Sequence, residues 1–207
     1  MMKLGCLLIL FVCALTSRTY AQDSLTYQNG ALMAVGELNG EQQQGSWVYF
    51  YPSGDTSAVL NYDHNLLDGK QLYYYPNGNL QALENWSENI FFDSAFYFHE
   101  NGQVDRRGMF ENGVYEGLWE FYYPTGELRQ EGSYHDGVPH GLWLMYAENG
   151  TVMQEGEYRD GLEEGVWRFF DEAGNPTYEG SYHLGERIGV WYYFNKKGVK
   201  KKWKNFK

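Results

Sequence analysis

The sequence predicts an all-β protein, an elongated and twisted antiparallel meander of β-hairpins in repeats of 24 residues. Three observations predict it. A turn glycine recurs at Gly30, Gly54, Gly78, Gly102, Gly126, Gly150, Gly174 and Gly198, seven successive intervals of 24 residues, and a period of this length marks a repeat architecture. Aromatic residues make up 18% of the 207, with 19 tyrosines and 7 tryptophans, which suits a pleated surface. No window carries a helical apolar period of useful length, whereas short strand-like runs alternate with turn signals.

The chain opens with a short basic start, Met1-Met2-Lys3, and an apolar run, Leu4–Leu15. Thr19-Tyr20-Ala21 then presents small residues at the spacing of a signal cleavage site, which places the cut between Ala21 and Gln22. The apolar run is too short to span a bilayer, and neither Cys6 nor Cys13 has the flanking residues of a lipoprotein site. Residues 1–21 therefore read as a signal peptide. The mature chain is expected to be secreted or periplasmic, with no transmembrane span after signal removal. Both cysteines fall inside the signal, so the mature chain would rely on packing rather than disulfides.

After a short lead at 22–26, seven full repeats follow at 27–50, 51–74, 75–98, 99–122, 123–146, 147–170 and 171–194, and a partial eighth, 195–207, ends the chain. The turns YPSG, YPNG and YPTG place Pro second and Gly fourth, which suits a type I turn closed by a left-handed glycine, a tight hairpin with a glycine bulge. Strand A of the fifth repeat runs from Gly126 to Tyr134 and strand B from Gly141 to Tyr146, with HDGVPH read as the loop between them. Alternation puts Trp119, Trp143, Trp167 and Trp191 on one face of strand B. A large ring can cover a bare glycine across a sheet, so Gly108, Gly132, Gly156 and Gly180 are paired with these tryptophans in turn. That register predicts seven further cross-strand pairs: Val35/Val48, Val59/Leu72, Leu83/Phe96, Arg107/Glu120, Glu131/Leu144, Glu155/Arg168 and Glu179/Tyr192. The apolar pairs match, and two charged pairs are complementary in swapped order, as cross-strand neighbours should be.

The pattern YxxGxLxxEGxYxxGxxhGxWxxYY, cleanest in residues 99–194, resembles the MORN-repeat variant family of bacterial proteins, many of them antitoxin-like. The resemblance covers Tyr27 to Phe194. It implies hairpin repeats in an elongated sheet, no catalysis, and binding through a face or groove. Related eukaryotic repeats are associated with membranes and protein scaffolding. Two departures stand out. A cytosolic antitoxin needs no signal peptide. Repeats 2 and 3 are degenerate, with Gln71 and Ala95 in place of Trp, Leu60 and Glu84 in place of the strand A glycine, Asp93 in place of the second glycine, and Asn65 and Asn89 in the loop-glycine position. Trp86 in the Tyr position would refill the volume lost at Ala95. This segment reads either as drift in a tolerant array or as a distinct binding patch around Phe91, Phe92, Phe96 and Tyr97.

Charge and motifs narrow the function. Without Lys3 and Arg18 the chain has 14 basic against 27 acidic residues, and seven of the 14 are lysines within 195–207. An acidic body argues against nucleic acid. His64, His99, His135, His140 and His183 form no zinc-spaced set, and no metal or cofactor is expected. Asp63–Gly69 is a poor match to a calcium loop. Glu131, Glu155 and Glu179 recur with the repeat, whereas a paired-carboxylate site needs unlike environments. No nucleophile motif or phosphate loop is present, so an enzyme is not expected. Phe50, Tyr74, Phe98, Tyr122, Tyr146, Phe170 and Phe194 form a second aromatic column, suited to packing or to an exposed contact surface. Lys200, Lys201, Lys202 and Lys204 could guard a last edge strand or touch an anionic surface. The function expected is a non-catalytic protein-binding scaffold. The alternatives are an envelope glycan- or lipid-binding module and an antitoxin-like immunity protein.

Overall fold

The computed structural model describes residues 21–207, and for Ala21 and Gln22 the backbone alone. Residues 1–20 of the expected signal peptide, with Cys6 and Cys13, lie outside the described residues. The described residues form one open antiparallel sheet of eighteen strands. They are β1 (Ala21–Thr26), β2 (Leu32–Asn39), β3 (Gln42–Phe50), β4 (Thr56–Asp63), β5 (Leu66–Leu67), β6 (Gly69–Tyr74), β7 (Leu80–Ser87), β8 (Ile90–Phe91) and β9 (Asp93–Phe98). Then come β10 (Val104–Glu111), β11 (Val114–Tyr122), β12 (Leu128–His135), β13 (Val138–Tyr146), β14 (Val152–Arg159), β15 (Leu162–Phe170), β16 (Pro176–His183), β17 (Glu186–Phe194) and β18 (Lys200–Phe206). Each strand pairs with its neighbours along the chain; β5 with β6, and β8 with β9, are the two pieces of one interrupted strand B.

Two kinds of turn alternate. Between strand B and the next strand A, Gly126 N–H donates to the Tyr123 carbonyl and Tyr123 N–H to the Glu127 carbonyl, both at 2.8 Å. Gly126 sits at φ 94°. This is the type I turn with a glycine bulge that the Tyr-Pro-x-Gly signature predicts. Between strand A and strand B the expected six-residue loop is absent. Asp136 (φ 49°) and Gly137 (φ 80°) alone form the turn, a type I′ geometry that lets the strands pair up to its edge. β13 accordingly starts at Val138 rather than Gly141. Gly141, at φ 82°, is a bulge inside the strand rather than its first residue.

All seven register pairs read from the sequence are present. Gly132 lies opposite Trp143, and a Cβ built on Gly108, Gly132, Gly156 or Gly180 would fall within 2.3 Å of the expected tryptophan ring. The indoles of Trp47, Trp119, Trp167 and Trp191 are buried. Each donates its Nε1–H to the carbonyl ten residues earlier, as Trp119 does to Met109 at 3.0 Å. The core of this single sheet is thus a row of rings lying flat on glycine backbone, joined by edge-on contacts such as Tyr158 to Trp167 at 5.1 Å.

Adjacent repeats are tied at both margins of the sheet. At one margin, from the second repeat on, the second residue of the two-residue turn donates to the repeat before it: Gly137 to the Tyr115 carbonyl, Gly161 to Pro139, Gly185 to Glu163. At the other, the turn tyrosine donates its hydroxyl to the carbonyl 23 residues on, as in Tyr51 to Tyr74 at 2.6 Å and Tyr123 to Tyr146 at 2.9 Å. His99 serves the same carbonyl with its imidazole. Ala147 and Asp171 hold this position in the last two full repeats, and neither side chain can donate such a bond.

Asp93 adopts φ 61° where Gly45, Gly117, Gly141, Gly165 and Gly189 stand in other repeats. An L-residue at left-handed φ costs about 1–2 kcal/mol, partly offset here by the Asp93 carboxylate accepting the Ser94 N–H at 2.7 Å. Asp93→Gly is therefore expected to raise stability by about 1 kcal/mol, read from the urea midpoint; an unchanged or lower midpoint contradicts it.

Candidate functional site

Function in such an array resides in what its faces and ends present. The tryptophan face is mostly interior. Its irregular stretch is repeats 2 and 3, where the indole is missing. Gln71 is fully buried in the tryptophan position. Its Nε2 donates to the Asn61 carbonyl, ten residues earlier, at 3.1 Å, and its Oε1 accepts the Asn61 N–H at 2.6 Å. The amide thus keeps the tryptophan's hydrogen bond while giving up its volume. Glu84, 7% exposed, stands opposite Gln71 and accepts the Trp86 indole N–H at 3.0 Å. Burial, with Glu84 close by, pushes the Tyr73 hydroxyl up to about 12 and the Tyr97 hydroxyl higher still. The Arg106 guanidinium lies 4.0 Å over the Tyr97 ring.

The sequence-derived patch is divided between faces. Phe91 and Tyr97 are on the tryptophan side, where the Phe91 ring meets Trp86 at 3.8 Å, tilted by 38°, and stacks on Phe110 at 4.7 Å. Ala95 is buried in the same cluster, against which Phe91 packs, and Trp86 in turn lies against Phe91. Phe96, paired with Leu83 and Arg107, lies on the opposite side. Phe92 is exposed in the break between β8 and β9, its N–H donating to the Asn85 carbonyl.

The opposite face carries the second aromatic column, Phe50 through Phe194, half-buried throughout. It also carries a row the sequence reading did not single out. Leu118, Leu142 and Val166 occupy the same place in three successive repeats and are 54%, 57% and 48% exposed. Leu142, Val166, Glu155 and Arg168 line a shallow depression of about 310 Å³. The ion pairs Arg107–Glu120, at 2.5 Å, and Arg168–Glu155, at 2.8 Å, flank the row. The sequence signal was available: the residue before Trp119, Trp143 and Trp167 is aliphatic each time, while Ser46 and Lys70 precede the corresponding positions of the first two repeats.

At the turn margin, Glu116 accepts the Asp136 N–H at 3.0 Å and lies 3.2 Å from His135 Nδ1. Glu164 does the same for Leu184 and His183. The His135 contact, then the Asp136 amide, holds the Glu116 carboxyl below the usual range, and Glu116 raises the His135 imidazole. The carboxylate's contribution is present above its ordinary pKa and lost as pH falls through the depressed one. The imidazolium's is present below its ordinary pKa and lost as pH rises through the raised one. The turn should be held best between these, near about pH 5–6. Protection of the Asp136 amide from hydrogen exchange is expected to peak there, and a profile flat across the imidazole titration contradicts the pairing.

The basic end forms a strand. Lys200 Nζ reaches Glu179 at 2.6 Å, while Lys201, Lys202 and Lys204 have no carboxylate partner among the described residues. Trp203, bulged out of β18, packs on Tyr178 at 5.3 Å and on Trp191 at 6.5 Å. Arg187 lies 4.6 Å over the Trp191 ring. Among the described residues no cluster of three or more His, Cys, Asp or Glu could hold a metal ion, and no helix is long and apolar enough to cross a membrane.

Four segments match the family model described as MORN repeat variant: residues 67–88, 115–136, 139–160 and 163–183. The last three begin inside strand B and run through the Tyr-Pro-Thr-Gly type of turn to the end of strand A. No curated protein matches. Among solved structures, the crystal structure of TcdB2-TccC3-TEV is similar at 10% identity and a TM-score of 0.23, over 83% of this chain and 12% of that one. The crystal structure of TcdB2-TccC3 is similar at 11% identity and a TM-score of 0.18, over 87% of this chain and 15% of that one. The chain thus spans a small part of the length of both.

Proposed function

We propose, for this chain of MORN-type repeats, the role of a non-catalytic protein-binding scaffold working in the periplasm or outside the cell. MORN repeats commonly serve as protein- or membrane-binding modules. The observation that carries the protein reading is the exposed row Leu118, Leu142 and Val166. Successive members are two strands apart, about 10 Å, close to the rise of seven residues along a helix. An amphipathic helix with apolar residues seven apart and basic flanks fits both the row and the acidic body. The test is capture from an envelope extract with the wild-type chain and with a Leu118→Asp, Leu142→Asp, Val166→Asp variant of unchanged circular dichroism. A protein retained by the first and lost on the second supports the scaffold; equal capture by both counts against this face.

A second reading rests on Lys201, Lys202 and Lys204, which no carboxylate neutralises among the described residues. Clusters of this kind attract anionic lipid or glycan at about 1 kcal/mol per charge. Binding to phosphatidylglycerol vesicles or peptidoglycan that a triple Lys→Gln change abolishes supports it, and binding that survives the change counts against it.

A further inference from the structure

We propose that copies of this chain join end to end, the outer edge of β18 in one copy pairing antiparallel with the outer edge of β1 in the next. The 24-residue period would then run unbroken across the junction.

The phase of the two terminal strands carries the argument. β1 is a strand B: Asp23 pairs with Gly36 as Trp119 pairs with Gly132, so Asp23 stands where the tryptophan stands one repeat later. β18 is a strand A: Lys204 pairs with Trp191 as Gly180 pairs with Trp167. The described array therefore starts on a strand B and stops on a strand A. The next pair the period calls for is an A–B pair, of which β12 with β13 is an internal example. Its register, Glu131 to Leu144 and Gly132 to Trp143, is carried over by whole repeats. Because β18 bulges at Trp203, Lys202 lies across from Tyr192 as Glu131 lies across from Glu120, and so comes opposite Ser24 of the next copy. Lys204 comes opposite Asp23.

The last of these pairs gives the junction its chemistry. Inside the array, strand A mostly has glycine and strand B mostly tryptophan at these places. At the two ends they are a lysine and an aspartate, and the period brings them together. Neither has an ion-pair partner among the described residues: the Asp23 carboxylate accepts only the Ser24 N–H at 2.8 Å, and Lys204 Nζ rests 4.7 Å over the Phe206 ring. Edge strands are templates for pairing, and charge on them selects the partner. Two β18 edges brought together would set lysine rows against each other, so the lysines that forbid that pairing direct β18 to β1 instead. The contact is heterologous and so propagates in a line rather than closing a two-fold dimer. Strands of six and seven residues make a contact well below the roughly 1,200 Å² of a stable complex. The association should accordingly be weak, concentration-dependent and salt-sensitive.

Sedimentation velocity on protein purified from cells expressing the whole sequence tests this. The average mass is expected to rise with concentration at low salt and to fall on adding salt. Lys204→Glu alone and Asp23→Lys alone should each weaken association at least tenfold. An equimolar mixture of the two, and the Asp23→Lys, Lys204→Glu double variant, should restore it, because both restore opposite charges at the junction. All of these side chains are exposed, and unchanged thermal melts would confirm that the fold is kept. A wild-type mass independent of concentration, or association that Lys204→Glu leaves intact, overturns the proposal. So does association that only the Leu118, Leu142, Val166 variant abolishes, which would place the contact on the sheet face.

Discussion

Trp119→Ala is expected to destabilise the array by about 3–5 kcal/mol, the largest effect of a single truncation in this chain. The indole is fully buried. It stacks on Tyr115 at 3.7 Å and meets Phe110 edge-on at 5.2 Å. Its Nε1–H satisfies the Met109 carbonyl. Truncation would leave Gly108 uncovered and a cavity that flat sheet backbone cannot close. The matching change at the half-buried Trp143 should cost visibly less, so the ratio of the two urea midpoints tests whether burial sets the scale. Equal losses would mean that the row is held by something other than ring packing.

Gly180→Ala is expected to cost about 3 kcal/mol, at the upper end for overpacking. An added Cβ would lie 2.1 Å from Cδ2 of Trp191. The indole cannot yield freely, because Phe206 and the Arg187 guanidinium also rest on it. Combined with Trp191→Leu, the alanine should lose most of its effect, giving a coupling of about 1–3 kcal/mol in a double-mutant cycle. Additive losses would show that the two residues do not share this space.

Register was legible in the sequence because the period has no insertion. Once one glycine is laid against one tryptophan, every other pair follows, and complementary charges at Arg107/Glu120 and Glu155/Arg168 provide an independent check. The loop between strands A and B was misjudged because glycine at position 141 signals a turn and a bulge equally well; only pairing distinguishes them. The Tyr-Pro-x-Gly turns show the use of their proline and glycine, whereas the tyrosine hydroxyl acts 23 residues away, a reach that local motif chemistry does not show. Gln71 looked like a lost tryptophan, yet its amide keeps the indole's hydrogen bond. The exposed row Leu118, Leu142 and Val166 is periodic too, but period alone does not say which face is covered. Side chains on one face of an eighteen-stranded sheet can be core or contact surface, and burial decides between them.

The hydrogen bonds that tie one repeat to the next reach 22 or 23 residues along the chain and no further. No described strand pair joins the two ends. Such a chain closes like a zip fastener: any hairpin can start it, and each further one needs only the last to be shut. Its length is then a whole number of teeth, and removing residues 147–170 as a block would bring Tyr146 to Asp171 with the two flanking strands already in step. The same construction lets it open from an end. The end lacking tyrosine clasps, beyond Ala147 and Asp171, is where opening should begin.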